Sequence, residues 1–169
     1  MKSTLNERYD KIYVTGATGW VGKTFLHELQ SIVPADQFNK KVTAFGSKRR
    51  ELKSTNYRKE NDIVIPIHPL TELEEHSAEK NILIFHSAFL TKDRISKYGI
   101  SEYTRINKFI TETVSEFIKR GNISRVVGIS SGAASIVENS RRKENMNDEL
   151  DHYGWLKLSE ERNKNATIE

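Results

Sequence analysis

Residues 11–33, KIYVTGATGWVGKTFLHELQSIV, constrain this chain more than any other stretch. A short β-branched run leads into Gly16, Gly19 and Gly22, and a segment with a repeating apolar face follows. That order predicts a strand, a tight turn and a helix. Gly16 permits the turn out of the strand. Gly19 removes a side chain where backbone must approach a ligand, and Gly22 lets the helix lie close to the sheet. The first N–H groups of a helix have no partner within it, so those around Trp20 and Val21 face outward with the helix dipole behind them. Such a place holds phosphate.

The rest of the chain repeats the pattern. Apolar runs at 11–16, 41–46, 62–67, 81–88 and 125–131 read as strands covered on both faces. Val21, Phe25, Leu29 and Ile32 fall at helical spacing after the first, with Pro34 just beyond. Tyr103, Ile106, Ile110, Val114 and Phe117 form a second stripe after the fourth, with Gly121 as its cap. Residues 136–152 read as a polar loop. Strand and helix in alternation imply an α/β fold, a doubly wound parallel sheet in one domain spanning 1–169. Ligands bind such sheets at the carboxyl ends of the strands, where the glycines lie.

Two phosphate ligands come into question. A triphosphate loop needs G-x-x-x-x-G-K-[ST], and Gly22-Lys23-Thr24 supplies its end. The first glycine would then stand at position 17, which is Ala17, and Gly16 comes one residue early. No acid closes a later strand to hold magnesium; the best candidate, ILIFHSA, offers His86. The glycines at spacings of three suit the pyrophosphate of a dinucleotide better.

Composition removes other classes. The 169 residues include no cysteine, which excludes disulfides, thiolate metal sites and a cysteine nucleophile, and fits a reducing cytoplasm. No metal site is expected. The polar start MKSTLNERYDK has no signal core, and no apolar run approaches the roughly 20 residues of a membrane helix. A net charge of +4 is small. Basic clusters at 48–50 and 141–143 come without an aromatic stacking ladder, which argues against nucleic acid as partner.

TGATGWVG resembles the TGxxGxxG fingerprint of the short-chain dehydrogenase/reductase superfamily. It is most similar to the extended branch, the NAD(P)-dependent epimerases and dehydratases of nucleotide sugars. The resemblance runs from Ile12 to Lys157. It implies a Rossmann-type sheet and a dinucleotide held by Gly16, Thr18, Gly19, Trp20, Val21 and Gly22. IFHSAF (84–89) resembles the family's fourth-strand segment and brings in His86 and Ala88. Asn107 falls where the family has a helix asparagine. ISSGAAS (129–135) resembles the segment whose second serine is catalytic, which makes Ser131 that residue. YGWLK supplies the family's YxxxK pair, Tyr153 and Lys157. Residues four apart share a helix face. A cation near the phenol would favour tyrosinate and lower its pKa from about 10 toward neutrality. The phenol could then exchange a proton with a sugar oxygen as hydride moves. By the same resemblance Lys157 also binds the nicotinamide ribose.

The second strand ends AFGSKRR, with no acid for a ribose 2′-hydroxyl. Ser47 and the three cations Lys48, Arg49 and Arg50 that follow suit a 2′-phosphate, so NADP(H) is expected over NAD(H). Extended family members run to about twice this length. The resemblance therefore implies a Rossmann part without its last strands and substrate lobe. It leaves an exposed edge at 125–131 on which a homodimer could form. Two functional classes follow: an epimerase or reductase of nucleotide sugars, or a dinucleotide-binding module that needs a partner for turnover.

Overall fold

A computed structural model describes residues 5–54, 63–139 and 149–165. In chain order the elements are α1 (Leu5–Arg8), β1 (Lys11–Thr15), α2 (Trp20–Gln30), α3 (Ala35–Lys41), β2 (Val42–Gly46), β3 (Arg50–Ser54) and β4 (Ile63–Pro69). A 3-10 segment (Leu70–His76) follows, then β5 (Ile82–His86) and a short 3-10 turn (Lys92–Arg94). The chain continues through α4 (Ile95–Arg120), β6 (Ile123–Gly128), α5 (Gly132–Asn139) and α6 (Glu149–Asn165). The strands form one sheet in the order β3-β4-β2-β1-β5-β6. This is the Rossmann-type α/β architecture that the glycine loop and strand–helix alternation imply.

The chain divides into two compact units. The first runs to Ala88 and takes in Arg120–Val127, and so carries the sheet. β1 lies between β2 and β5, parallel to both, with Thr15 opposite Phe45 on one side and His86 on the other. Ile12, Tyr13 and Val14 are wholly buried, as are Ala44 and Phe45 of β2 and Ile82 and Ile84 of β5. Each such large apolar side chain contributes about 1.5–3 kcal/mol on burial. A central strand covered on both faces cannot alternate, which is why these segments read as unbroken apolar runs.

Three features of this unit depart from the pattern read in the sequence. β3 is an additional strand, antiparallel to β4 with Arg50 opposite Ile67. Its residues RELKS have the charge typical of a sheet edge, which hides the strand in a periodicity reading. α2 buries Gly22, Leu26, Leu29 and Gln30. It ends at Gln30, so Ile32 is off the helix and exposed, while Phe25 stacks on Phe85 at 3.9 Å between centroids. Beyond Pro34 the chain forms the short helix α3. At the opposite sheet edge, beside β5, β6 has only exposed and half-buried residues.

The second unit holds Phe89–Lys119 and the chain from Gly128 onward. α4 is interrupted at Gly99, where φ is +72°. Its buried face carries Tyr103, Asn107, Thr111, Val114 and Phe117. Ile106 and Ile110 are only half-buried, so the face is rotated toward the asparagine. Asn107 accepts a hydrogen bond from the Leu90 N–H (2.8 Å) and donates to its carbonyl (3.3 Å), and Tyr103 donates to that carbonyl at 2.9 Å. The segment read as a loop at 136–152 is helical at both ends, in α5 and α6. The basic cluster at 141–143 lies outside the described residues. Among the described residues no helix is long and apolar enough to cross a membrane.

Candidate functional site

The glycine loop is built as the spacing predicts. Gly16 turns out of β1 with φ +74°, a conformation that side chains resist. A Cβ there would stand 2.6 Å from the Ala88 nitrogen and from the Ser87 carbonyl carbon, so the loop after β5 lies against bare backbone. The Ser87 N–H and hydroxyl both donate to the Thr15 carbonyl, at 3.1 and 2.9 Å, and hold that approach. Gly22 is packed equally closely under the turn, its Cβ position falling 2.9 Å from the Ala17 Cα. Gly19 caps α2 in extended conformation (φ −75°, ψ 168°) with no side-chain hydrogen bond to the cap. The first N–H groups of α2 are thus left to an external acceptor, and the dipole favours an anion there. Trp20 is 84% exposed and Lys23 points to solvent on the next turn.

His86 ends β5, 1% exposed, with Nδ1 hydrogen-bonded to Thr15 Oγ1 at 2.5 Å. That bond ties the ends of two neighbouring strands together below the loop. Thr18 lies beside Gly46, its Cγ2 3.5 Å from where a Cβ would stand. Ser47, Lys48 and Arg49 follow β2 and are exposed. Arg49 Nη2 donates to Glu72 Oε2 at 2.5 Å, and His68 Nδ1 lies 3.5 Å from the same oxygen. Below them the rings of Tyr13, Phe45, His68 and His76 meet edge to face or tilted, with centroids 5.4–6.0 Å apart. Burial, with His68 nearby, holds the His76 pKa below its ordinary value.

In the second unit Tyr153 and Lys157 stand one turn apart on α6. Lys157 is 4% exposed. Its Nζ donates to the Ile129 carbonyl (3.0 Å) and to Glu160 Oε2 (2.8 Å), and lies 3.9 Å from the centroid of the Phe89 ring. The edge-on ring of Tyr153 is 5.8 Å from that of Phe89. Phe89 therefore has the phenol on one side and the ammonium near its face. Ser131 precedes α5, where its Oγ accepts from the Ala133 N–H at 3.3 Å and its carbonyl from the Ala134 N–H at 3.0 Å. The neighbouring Ser130 donates to Glu161. His152 is helical and bonds Thr104 Oγ1 through Nε2 at 2.5 Å. Burial holds the Tyr103 phenol well above the ordinary range, so it remains a neutral donor to Leu90.

The residues picked from the sequence divide between the two units. Gly16, Thr18, Gly19, Trp20, Val21, Gly22, Ser47, Lys48, Arg49, His86 and Ala88 belong to the first; Ser131, Tyr153 and Lys157 belong to the second. Sequence reasoning missed Glu72, Phe89 and Glu160. The one signal for Glu160 is its spacing of three from Lys157, a helix-neighbour distance.

A family model for the NAD dependent epimerase/dehydratase family matches residues 12–161. Among solved structures, MoeE5 in complex with UDP-glucuronic acid and NAD is 27% identical, with a TM-score of 0.61 over 93% of this chain and 49% of that one. A double mutant of DesIV, a dTDP-glucose 4,6-dehydratase from Streptomyces venezuelae with NAD and DAU bound, is 21% identical (TM-score 0.60; 92% and 51% covered). UDP-glucuronic acid 4-epimerase from Bacillus cereus, in complex with NAD, is 18% identical (TM-score 0.52; 93% and 51% covered). The chain spans about half the length of these proteins. No curated protein matches the sequence.

Proposed function

From the premise that this chain belongs to the NAD dependent epimerase/dehydratase family, we propose that it is the dinucleotide-binding domain, 1–169, of an oxidoreductase acting on a nucleotide-activated sugar. The observation that carries this reading is the bare-backbone cradle at Gly16, Gly19 and Gly22, at the N-terminus of α2, where no side chain caps the helix. The UDP-glucuronic acid and NAD held by MoeE5, the 27%-identical structure, support the substrate class. Gly16, Thr18, Gly19, Trp20, Val21 and Gly22 take the pyrophosphate. His86 and Ala88 line the dinucleotide, and Ser47, Lys48 and Arg49 take the adenosine ribose, preferably with a 2′-phosphate.

A bound nicotinamide supplies or accepts hydride. The protein's own residues handle the proton. Tyr153 exchanges it with the sugar oxygen as general acid or base, and Ser131 hydrogen-bonds that oxygen. Lys157 and Tyr153 both adjoin the Phe89 ring, one helical turn apart on α6, which fixes the phenol beside the lysine. Lys157 also bonds the nicotinamide ribose.

Turnover of a UDP-sugar with NADP(H) or NAD(H), followed by product analysis, tests the reading. Tyr153→Phe should cut turnover by about 10²–10⁴-fold and leave dinucleotide affinity unchanged. Undiminished turnover in that variant would overturn the assignment.

A further inference from the structure

The cations after β2 do not all stand free to meet a ligand. β2 and β4 are parallel neighbours with Gly46 opposite Pro69, so the chain leaves both strands at the same end of the sheet. Arg49 comes three residues after the first, and Glu72 sits in the 3-10 segment after the second. They meet through Nη2 and Oε2 at 2.5 Å. Glu72 is the sheltered partner, its side chain 22% exposed against 64% for Arg49. His68 approaches the same carboxylate oxygen, and its ring is braced by Phe45 and His76. The carboxylate is thus anchored to the sheet, and the arginine reaches over to it.

We propose that Glu72 sets the cofactor preference of the glycine-loop site by holding Arg49, and so restrains selection of the dinucleotide that carries a 2′-phosphate. The inference rests on the dinucleotide reading above. A guanidinium paired to a carboxylate presents little net charge. A 2′-phosphate that approaches it must displace Glu72 or lie close to a like charge. A ribose 2′-hydroxyl brings no charge and can itself donate to a carboxylate. Glu72 therefore penalises one cofactor and spares the other. Ser47 and Lys48 remain exposed beside it, so the site keeps some affinity for the phosphate.

Titration of NADH and NADPH by nicotinamide fluorescence tests this on the whole chain. Glu72→Gln should raise the ratio of NADPH to NADH affinity about tenfold, the effect of releasing one charge-assisted partner. In an Arg49→Gln background the same change should leave the ratio unmoved. Glu72→Ala, which also frees Arg49, should reproduce the gain and provides a second variant. A ratio unchanged in Glu72→Gln, or both affinities moving together, would overturn the inference and leave the cofactor reading intact. Failure of the unaltered protein to bind either dinucleotide would instead overturn the cofactor reading, and the inference with it.

Discussion

Lys157 shows how much one side chain can be asked to do. Its ammonium is almost wholly buried, bonded to the Ile129 carbonyl and Glu160 and lying over Phe89. Removing one member of a buried pair leaves the other's charge in a poor solvent and costs about 3–5 kcal/mol. Lys157→Met should therefore lower the unfolding free energy by about 3 kcal/mol or more. Lys157→Met with Glu160→Gln should recover part of that loss, and denaturant titration of the set measures both. A loss below about 1 kcal/mol would show that the pair is solvated. The sequence exposes Lys157 through its spacing from Tyr153. It conceals the carboxylate that pairs with the lysine, since a glutamate three residues on reads as an ordinary exposed helix pair. Burial alone tells the two apart, and burial depends on the packing of the whole unit.

At the scale of elements, the contact between α5 and α6 depends on Gly154, beside the proposed catalytic tyrosine. A Cβ there would stand 2.5 Å from the Ala133 carbonyl oxygen and 2.7 Å from Val137 Cγ2. Gly154→Val should force α5 away and cost about 1–3 kcal/mol, measured by thermal unfolding. An unchanged melting temperature would contradict the close packing. Such inter-helix contacts are invisible to periodicity, which is why 136–152 read as a loop. β1 and its glycine loop were legible because their signals are local: an apolar run, then glycines at fixed spacing. β3 was not, because a charged edge strand lacks an apolar face. The Arg49–Glu72 pair was not either, because pairing of β2 with β4 is what brings together residues 23 apart in sequence. Asn107 was found by resemblance alone. Its work of holding the Leu90 backbone emerges from the fold.

For the molecule as a whole, protons and ligand are the two levers on stability. His76 has a folded pKa below its ordinary value of 6.5, because burial and His68 disfavour its charged form. Between the folded and ordinary values the unfolded chain binds more protons, so its contribution to stability rises with pH and is lost as pH falls through that window. Unfolding midpoints across pH 5–8 should show this gain, about the ordinary histidine pKa, and His76→Phe should flatten it. An equal slope in the variant would assign the effect elsewhere. Ligand acts through mass action: a dinucleotide that binds only the folded chain raises its stability in proportion to the logarithm of concentration. The central claim is that the glycine loop binds a dinucleotide by bare backbone at a helix N-terminus. Gly19→Asp tests it most directly. Gly19 has backbone angles any residue adopts; a Cβ there would stand 3.3 Å from the Gly16 carbonyl oxygen, a tight contact that opposes the few tenths of a kcal/mol by which aspartate caps a helix better than glycine. The account predicts that Gly19→Asp still folds, with a cooperative melt near that of the unaltered protein, and yet loses NADH and NADPH binding in a fluorescence titration. Saturable binding of equal strength in this variant would contradict it.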